Sequence, residues 1–162
     1  MAISVGDKLP NTQFLVMQDG IASPLEFEEI SKGRKIILFG LPGAYTGTCS
    51  TKHVPSFIAA ADDIRAKGVE GIYCLSVNDP YVTDKWEKEM RADRAGITMI
   101  ADPAAEFTKA IGMAFTAPMV GFYDRCTRFA AIVEDGVVTA VSVEEMRGVC
   151  DLTSGSAILE KL

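Results

Sequence analysis

The middle of the chain alternates between short apolar runs and longer amphipathic stretches. Three runs have the length and apolar content of buried strands, and they cover residues 35–40, 71–77 and 97–100. Between the first two, apolar side chains recur at the spacing of one helix face, which carries Phe57, Ile58, Ala61 and Ile64. This alternation predicts parallel strands with helices packed on the sheet.

The first helix follows a loop of turn residues at 41–49. We expect Thr46 or Thr48 to cap its N-terminus. Pro55 should bend the helix in its second turn, and Gly68 should end it. Apolar periodicity predicts two further helices, one through Val82, Trp86 and Met90 and one through Phe107, Ala110 and Ile111.

The C-terminal part has a different pattern. Two apolar stretches at 129–134 and 137–143 flank Asp135-Gly136, a strong signal for a β-hairpin. An amphipathic helix is expected from about 154 to 162. No repeat or linker divides the sequence, so residues 1–162 are predicted to form a single α/β domain. Its mixed central sheet should be flanked by helices and carry a C-terminal antiparallel hairpin.

Composition and charge exclude several classes of protein. With 48% hydrophobic and 23% charged residues, the chain has the composition of a globular protein. Its formal net charge of -6 and the lack of a basic stripe argue against a nucleic-acid partner. The apolar runs are too short to cross a membrane, and the start does not resemble a signal peptide. We expect a cytoplasmic protein, or an organellar form whose transit peptide has been removed.

The four cysteines show no metal-binding or thioredoxin-type spacing. No pair is separated by two residues, so we expect no metal site. Disulfide bonds would not persist in a reducing compartment. The cysteines are therefore predicted to be buried thiols, of which one or two are reactive: Cys49, Cys74, Cys126 and Cys150.

Cys49 is the strongest candidate for a reactive thiol. It follows a glycine-rich loop at the start of a predicted helix, where free N–H groups and the helix dipole favour a thiolate. A thiolate can attack a peroxide, and hydrogen-bond donors must then stabilise the departing oxygen. Thr46 and the backbone N–H groups of Thr48 and Cys49 are candidates. From position alone, a packed structural cysteine fits equally well.

The surrounding sequence resembles one known family. The pattern Pro-x-x-x-Thr-x-x-Cys at 42–49 resembles the active-site signature of peroxiredoxins. Cys-Ser-x-x-His-x-Pro at 49–55 is similar to their type II, or fifth-class, branch. The resemblance continues in order along nearly the whole chain, through residues 76–81, 101–103, 128–129 and 134–138. It implies a thioredoxin-like fold and a thiol-dependent peroxidase that reduces hydrogen peroxide and alkyl hydroperoxides without a cofactor.

The resemblance also implies roles for individual residues. Cys49 would be the peroxidatic cysteine, Thr46 would hydrogen-bond the peroxide, and Pro42 would shield the thiolate. Arg128 would pair with the thiolate and the leaving oxygen, because the Arg-Phe pair at 128–129 matches the family. Arg125 is its rival. If both arginines lie on one extended strand, their odd separation puts them on opposite faces, so only one can point inward.

Two residues near Cys49 differ from the family pattern. Gly47 stands where relatives usually carry proline, and we expect it to make the loop freer. Ser56 stands where relatives often carry glycine, and we expect little effect from that change. His53 lies one helical turn after Cys49. A Cys–His pair suggests a hydrolase. However, the two residues share one helix and lack a third orienting group, so packing or shaping of the pocket rim is the preferred role.

The sulfenic acid formed on Cys49 must be reduced by a second thiol. Cys74 is the candidate resolving cysteine by resemblance to plant type II members, although it shares a strand face with Ile72 and so could be a core residue. Cys150 lies near the family's C-terminal resolving position, which falls on Leu152, and Cys126 is expected to be structural. Without an internal resolver, glutathione with glutaredoxin or thioredoxin would act directly.

The start of the Cys49 helix should unwind during the cycle, because a buried sulfenate cannot otherwise reach a partner thiol. Relatives form homodimers through loops near the active site, so we expect a homodimer. The alternative function is a peroxide sensor or redox relay that passes oxidation to a partner protein; an inactive binding module is the third reading.

Overall fold

Nine strands and five α-helices form within residues 2–162, which the computed structural model describes. The strands are β1 Gln13–Gln18, β2 Ile21–Glu26, β3 Lys35–Gly40, β4 Gly71–Ser76, β5 Ile97–Ala101, β6 Ala114–Ala117, β7 Phe122–Cys126, β8 Phe129–Glu134 and β9 Val137–Val143. The α-helices are α1 Phe27–Ser31, α2 Val54–Ala66, α3 Pro80–Met90, α4 Glu106–Ala110 and α5 Gly155–Leu159.

Seven strands form one mixed sheet in the order β2-β1-β5-β4-β3-β8-β9. The three central strands β5, β4 and β3 run parallel, as the strand–helix alternation predicts. On either side the neighbouring strands β1 and β8 are antiparallel to them. The predicted α/β class with a mixed central sheet is therefore confirmed.

Strand alternation divides the interior into two apolar cores, one on each face of the sheet. In β3, Ile37 and Phe39 belong to the core that also contains Phe57 of α2, Trp86 of α3 and Ile158 of α5. The opposite side chains of β3 belong to the second core, together with residues of α1 and α4: Ile36, Leu38, Phe27 and Phe107. The first core is the one that also contains Cys49.

The C-terminal hairpin forms as predicted. β8 and β9 pair antiparallel, and Asp135 and Gly136 between them both have positive φ, 48° and 76°. This is the geometry of a type I′ turn, which matches the twist of the paired strands. The last helix is shorter than expected, because α5 spans only Gly155–Leu159; Ser154 Oγ caps it by accepting a hydrogen bond from the Ala157 N–H.

Two strand pairs were not predicted. β1 and β2 form a hairpin around Asp19-Gly20, whose φ angles of 53° and 77° repeat the geometry at the C-terminal turn. The apolar pattern of β2 is interrupted by Ser23-Pro24, which an edge strand tolerates. β6 and β7 form a separate two-stranded sheet of partly exposed residues, so neither has a continuous apolar run.

Within residues 2–162, no helix combines the length and the apolar character needed to cross a membrane.

Candidate active site

The loop after β3 is held tightly against its surroundings. At Gly40 a β-carbon would collide with the Phe129 ring, and at Gly43 it would collide with the Arg125 guanidinium. The Ala44 N–H donates to Asn78 Oδ1 over 2.9 Å. Tyr45 adopts a left-handed backbone with φ 64°, a conformation that is unfavourable for a non-glycine residue. The loop is therefore fixed on the sheet before the helix begins.

Cys49 lies in a π-helical turn that precedes α2. This turn spans Cys49–His53, and the Val54 N–H donates to the carbonyl of Cys49 five residues earlier. Pro55 stands in the first turn of regular α2. Pro55 was expected to bend the helix in its second turn, and this position is wrong. The irregularity is the wider π-helical turn before Pro55. Proline has no N–H group, so it cannot donate the hydrogen bond that would continue a regular α-helix from the preceding residues.

The prediction that Thr46 or Thr48 caps this helix is also wrong. Thr46 Oγ1 donates to the carbonyl of Gly43 at 2.7 Å, and Thr48 Oγ1 donates to the carbonyl of Gly148 at 2.8 Å. The N–H groups of Thr48 and Cys49 have no hydrogen-bond acceptor in the part of the chain that the structure describes. They are thus free to donate to a bound molecule, as groups in the first turn of a helix are.

Arg128 reaches Cys49 from the other side of the site. Its Nη2 lies 3.3 Å from Cys49 Sγ, and both residues are buried, with 5% and 0% of their surfaces exposed. The contact places a donor that carries positive charge directly against the sulfur, in a site that water does not reach. A guanidinium at this distance can stabilise negative charge that develops at the sulfur or on an atom bound to it.

Arg125 also contacts the loop after β3, and the condition under which only one arginine was expected to point inward is not met. Arg125 lies in β7, and its Nη1 donates to the carbonyl of Pro42 at 2.9 Å while its guanidinium lies 5.0 Å from the centre of the Phe122 ring. Arg128 lies beyond the end of β7, in the connection to β8. The two arginines do not share a strand, so the alternation of strand faces does not apply to them.

His53 is fully buried between Arg128 and the C-terminal segment. Its Nδ1 lies 2.9 Å from Arg128 Nη1, and its Nε2 lies 2.9 Å from the carbonyl of Thr153. Burial, and then the charge of Arg128, lower the pKa of His53 to about 3. Both ring nitrogens are occupied, and neither bonds the sulfur, which argues against the cysteine-hydrolase reading. Sequence spacing showed neither contact because both partners are distant in the chain.

Two further contacts hold the Cys49 turn. The indole N–H of Trp86 in α3 donates to Ser50 Oγ over 3.1 Å. Ser56 Oγ donates to the carbonyl of His53 and accepts from the Gly155 N–H at 2.9 Å. Little was expected of serine at position 56, but it joins α2 to α5.

A cavity of about 210 Å³ opens beside this group, lined among others by Pro42, Thr46 and Arg128. Arg128 Nε is buried and has no hydrogen-bond partner in the described residues. Arg128 and Thr48 both line this cavity, and each has a free donor suited to an oxygen that gains negative charge, the Arg128 Nε–H and the Thr48 N–H. Pro42 is buried just after the end of β3 and lines the cavity.

The other three cysteines are also unpaired. Cys74 lies in β4, is 1% exposed and shares the core that contains Cys49 and Ile72. Burial raises the pKa of the Cys74 thiol well above its ordinary value, and it also raises the pKa of Cys126. Cys150 is only half-buried, and burial again raises its pKa. None of the three has an environment that favours a thiolate.

The chain is similar to known proteins over nearly its whole length. The Redoxin family model matches residues 4–158. The chain is 39% identical to the chloroplastic peroxiredoxin-2E-2 of rice (Oryza sativa subsp. japonica) over 147 residues; the match covers 88% of this chain but only 65% of the rice protein. It is 37% identical to peroxiredoxin-2B of Arabidopsis thaliana over 162 residues, which cover 99% of this chain and 98% of that protein.

A solved structure shows the same fold. Reduced Prx3 from Vibrio vulnificus in complex with hydrogen peroxide superposes with a TM-score of 0.89 at 36% identity, covering 98% of this chain and 95% of that one. The expected thioredoxin-like peroxiredoxin fold is thereby confirmed. The chain belongs to the peroxiredoxin family, in its type II branch.

Proposed function

We propose that the chain is a thiol-dependent peroxidase in which Cys49 is the peroxidatic cysteine. The observation that carries the proposal is the position of Arg128, which contacts the buried Cys49 Sγ and also lines the cavity. The thiolate attacks one oxygen of the hydroperoxide, so an S–O bond forms as the O–O bond breaks. The sulfur becomes a sulfenic acid, and the other oxygen leaves with the electron pair and takes up a proton to give water or an alcohol.

Thr46 acts as an acceptor in this proposal. Its hydroxyl hydrogen is already donated to the carbonyl of Gly43, so its oxygen is left to accept the O–H of the hydroperoxide. Arg128 Nε and the N–H groups of Thr48 and Cys49 donate to the peroxide oxygens from around the cavity. Acceptor and donors together orient the O–O bond and stabilise charge on the leaving oxygen. Pro42 excludes water from the sulfur.

The substrates we propose are hydrogen peroxide and small alkyl hydroperoxides. A cavity of about 210 Å³ has room for a small peroxide and for part of an alkyl group. The similar Vibrio vulnificus protein was solved with hydrogen peroxide.

We propose that a second thiol condenses with the sulfenic acid, forming a disulfide and releasing water. Cys74 is the candidate within the chain, and it lies in the same core as Cys49. Because its thiol is buried and its pKa is raised, reaction requires the turn at Cys49–His53 to unwind. Cys150 is more exposed and lies two residues from Gly148, whose carbonyl binds Thr48. Glutaredoxin with glutathione, or thioredoxin, supplies the electrons.

We further propose a homodimer that forms through the surface around the cavity. Val120 lines the cavity and is 52% exposed, and Tyr45, next to Thr46, is also 52% exposed. Met119, next to Val120, and Met146, in the segment after β9, are 99% and 70% exposed. An apolar rim of this kind is a common subunit contact. The unpaired thiols fit a reducing compartment, the cytoplasm or an organelle.

A peroxide-consumption assay with each reductant tests the proposal. Wild type and Cys49→Ser, Cys74→Ser and Cys150→Ser variants are compared, with Cys126→Ser as the control for loss of a buried thiol. We expect many turnovers in wild type and none in Cys49→Ser. Full activity in Cys49→Ser would refute the mechanism. A single turnover in wild type with every reductant would favour the redox relay. Loss of activity in Cys74→Ser or Cys150→Ser alone would identify the resolving cysteine.

A further inference from the structure

We infer that His53 is a positioning residue for Arg128: its neutral ring binds one arm of the guanidinium and so directs the other arm at Cys49 Sγ. The inference rests on the proposed peroxidase function, because it assigns a second residue to the same site. It is carried by a continuous set of buried contacts that runs from the sulfur to the C-terminal segment.

The contacts on His53 fix its tautomer. Arg128 Nη1 can only donate, so the Nδ1 atom 2.9 Å away must be unprotonated and accept. The ring proton therefore lies on Nε2, which donates to the carbonyl of Thr153 at 2.9 Å. The low pKa of His53, about 3, agrees with a neutral ring at physiological pH.

Thr153 is itself held in place by hydrogen bonds to Glu144. Its N–H and its hydroxyl each donate to Glu144 Oε1 at 3.0 Å, and both residues are buried. The Glu144 N–H in turn donates to the carbonyl of Arg128 at 3.0 Å. Backbone and side chain of the arginine are thus both tied to the same buried group, which limits the positions that its guanidinium can take.

The guanidinium has three distinct sets of donors in this arrangement. Nη1 is bound by His53, Nη2 faces Cys49 Sγ, and Nε has no partner within residues 2–162. Without the ring, Nη1 would be a buried donor facing the apolar surroundings of His53, where Phe39 lies 5.0 Å from the imidazole centre. Such a donor is costly unless it finds an acceptor, so the guanidinium would rotate away from the sulfur.

Two alternative roles can be separated from positioning. A general base would need a free ring nitrogen near the sulfur, and both nitrogens are occupied. A purely structural histidine would support the packing of Phe39 and Phe57 without affecting reactivity toward peroxide. Separating the structural role from positioning requires an experiment that measures the reaction with peroxide and the stability of the fold independently.

His53→Asn and His53→Gln form a matched pair for this purpose. The Asn oxygen can occupy the place of Nδ1 and keep an acceptor for Arg128, whereas the Gln amide reaches the place of Nε2 and leaves Nη1 without one. For each protein we would measure the rate constants of Cys49 with hydrogen peroxide and with iodoacetamide, together with thermal unfolding. The ratio of the two rate constants removes effects on thiolate content and access, because only peroxide needs the oriented donors of Arg128.

In His53→Gln we expect the ratio to fall by roughly 10- to 100-fold, as displacement of a positioned catalytic group does. His53→Asn should recover most of that loss, although both variants lose stability. In an Arg128→Met background, His53→Gln should produce no further fall. An unchanged ratio in His53→Gln, or an equal loss in the Arg128→Met background, would overturn the inference. The proposed function fails separately if wild-type Cys49 reacts with peroxide no faster than a free cysteine thiolate.

One measurement needs no variant. His53 is the only histidine in the chain, so nitrogen-15 NMR of histidine-labelled protein reports a single ring. We expect the neutral Nε2–H tautomer at pH values well below 6.5, the ordinary pKa of histidine. An imidazolium there, or the Nδ1–H tautomer, would contradict the arrangement even if every variant failed to fold.

Discussion

Arg128 Nη2 and Cys49 Sγ are 3.3 Å apart although the two residues are 79 positions apart in the sequence. The cysteine comes from the turn after β3 and the arginine from the connection between β7 and β8. The sheet brings these elements together because β3 and β8 are paired neighbours.

This contact predicts a specific effect of Arg128→Lys. Lysine has a single ammonium group and no fork, so it cannot bind His53 and the sulfur at once. We expect the rate constant of Cys49 with hydrogen peroxide to fall by roughly 100-fold in stopped-flow measurements, comparable to the removal of an oxyanion donor. Arg65→Lys, which alters an arginine in α2 that binds the Ala95 carbonyl, is the matched control. A loss below about twofold would contradict the role of the fork.

The close approach of α2 and α5 predicts that Gly155→Ala is destabilising. A β-carbon at Gly155 would collide with the backbone of Ser56, which cannot move without shifting α2. We expect a loss of roughly 1–3 kcal/mol in urea unfolding, typical of overpacking. The control is Gly47→Ala, where a β-carbon meets no atom of the described residues within 4 Å and stability should be kept or slightly raised. Equal stability of wild type and Gly155→Ala would show that α5 can shift freely.

Gly47 allows a test of unwinding. It lies in the first helical residues before Cys49, in open space and without a positive φ. Proline there should reduce the freedom of the unwound state and stabilise the protein by about 0.4–1 kcal/mol. Hydrogen exchange of Thr48–His53 amides should slow, and so should disulfide formation after oxidation. Unchanged exchange together with unchanged disulfide formation would argue against unwinding at this turn.

His53 predicts a pH dependence of stability. The folded state takes up the proton at about pH 3, whereas the unfolded state takes it up near 6.5. Below pH 6.5 the unfolded state therefore binds more protons, and the free energy of unfolding falls as pH is lowered, with a slope approaching roughly 1.4 kcal/mol per pH unit. Urea unfolding of wild type between about pH 7 and 5 should show the slope growing toward this value as the pH falls. The slope should be smaller in His53→Gln; parallel curves for the two proteins would contradict it.

Sequence patterns predicted those strands and turns that are determined by neighbouring residues in the chain. The central parallel strand β3 has a continuous apolar run because both of its faces are buried, and the turn at Asp135-Gly136 has its own signal. The hairpin at Asp19-Gly20 has the same turn signal, but Pro24 interrupts the alternation beside it. β6 and β7 lack an apolar run, because they lie outside the main sheet and remain partly exposed.

The site was predictable only as far as its residues are close in sequence. The motif around Cys49 singles out Thr46 and Pro42, and the Arg-Phe pair singles out Arg128. The link of His53 to Arg128 and Thr153 was not predictable, because it joins side chains separated by 75 and 100 positions. The role of Arg125 was missed for a similar reason: a rule for one strand was applied to residues that do not share one.

The bond between Trp86 and Ser50 gives this protein a built-in optical reporter. Trp86 is the only tryptophan in the chain, it is 1% exposed, and its indole N–H is bound to the residue immediately after Cys49. Its emission therefore comes from one buried position beside the reacting sulfur. Each release of the turn during the catalytic cycle would free that N–H and admit solvent, so steady fluorescence alone could follow oxidation and recovery without any attached dye.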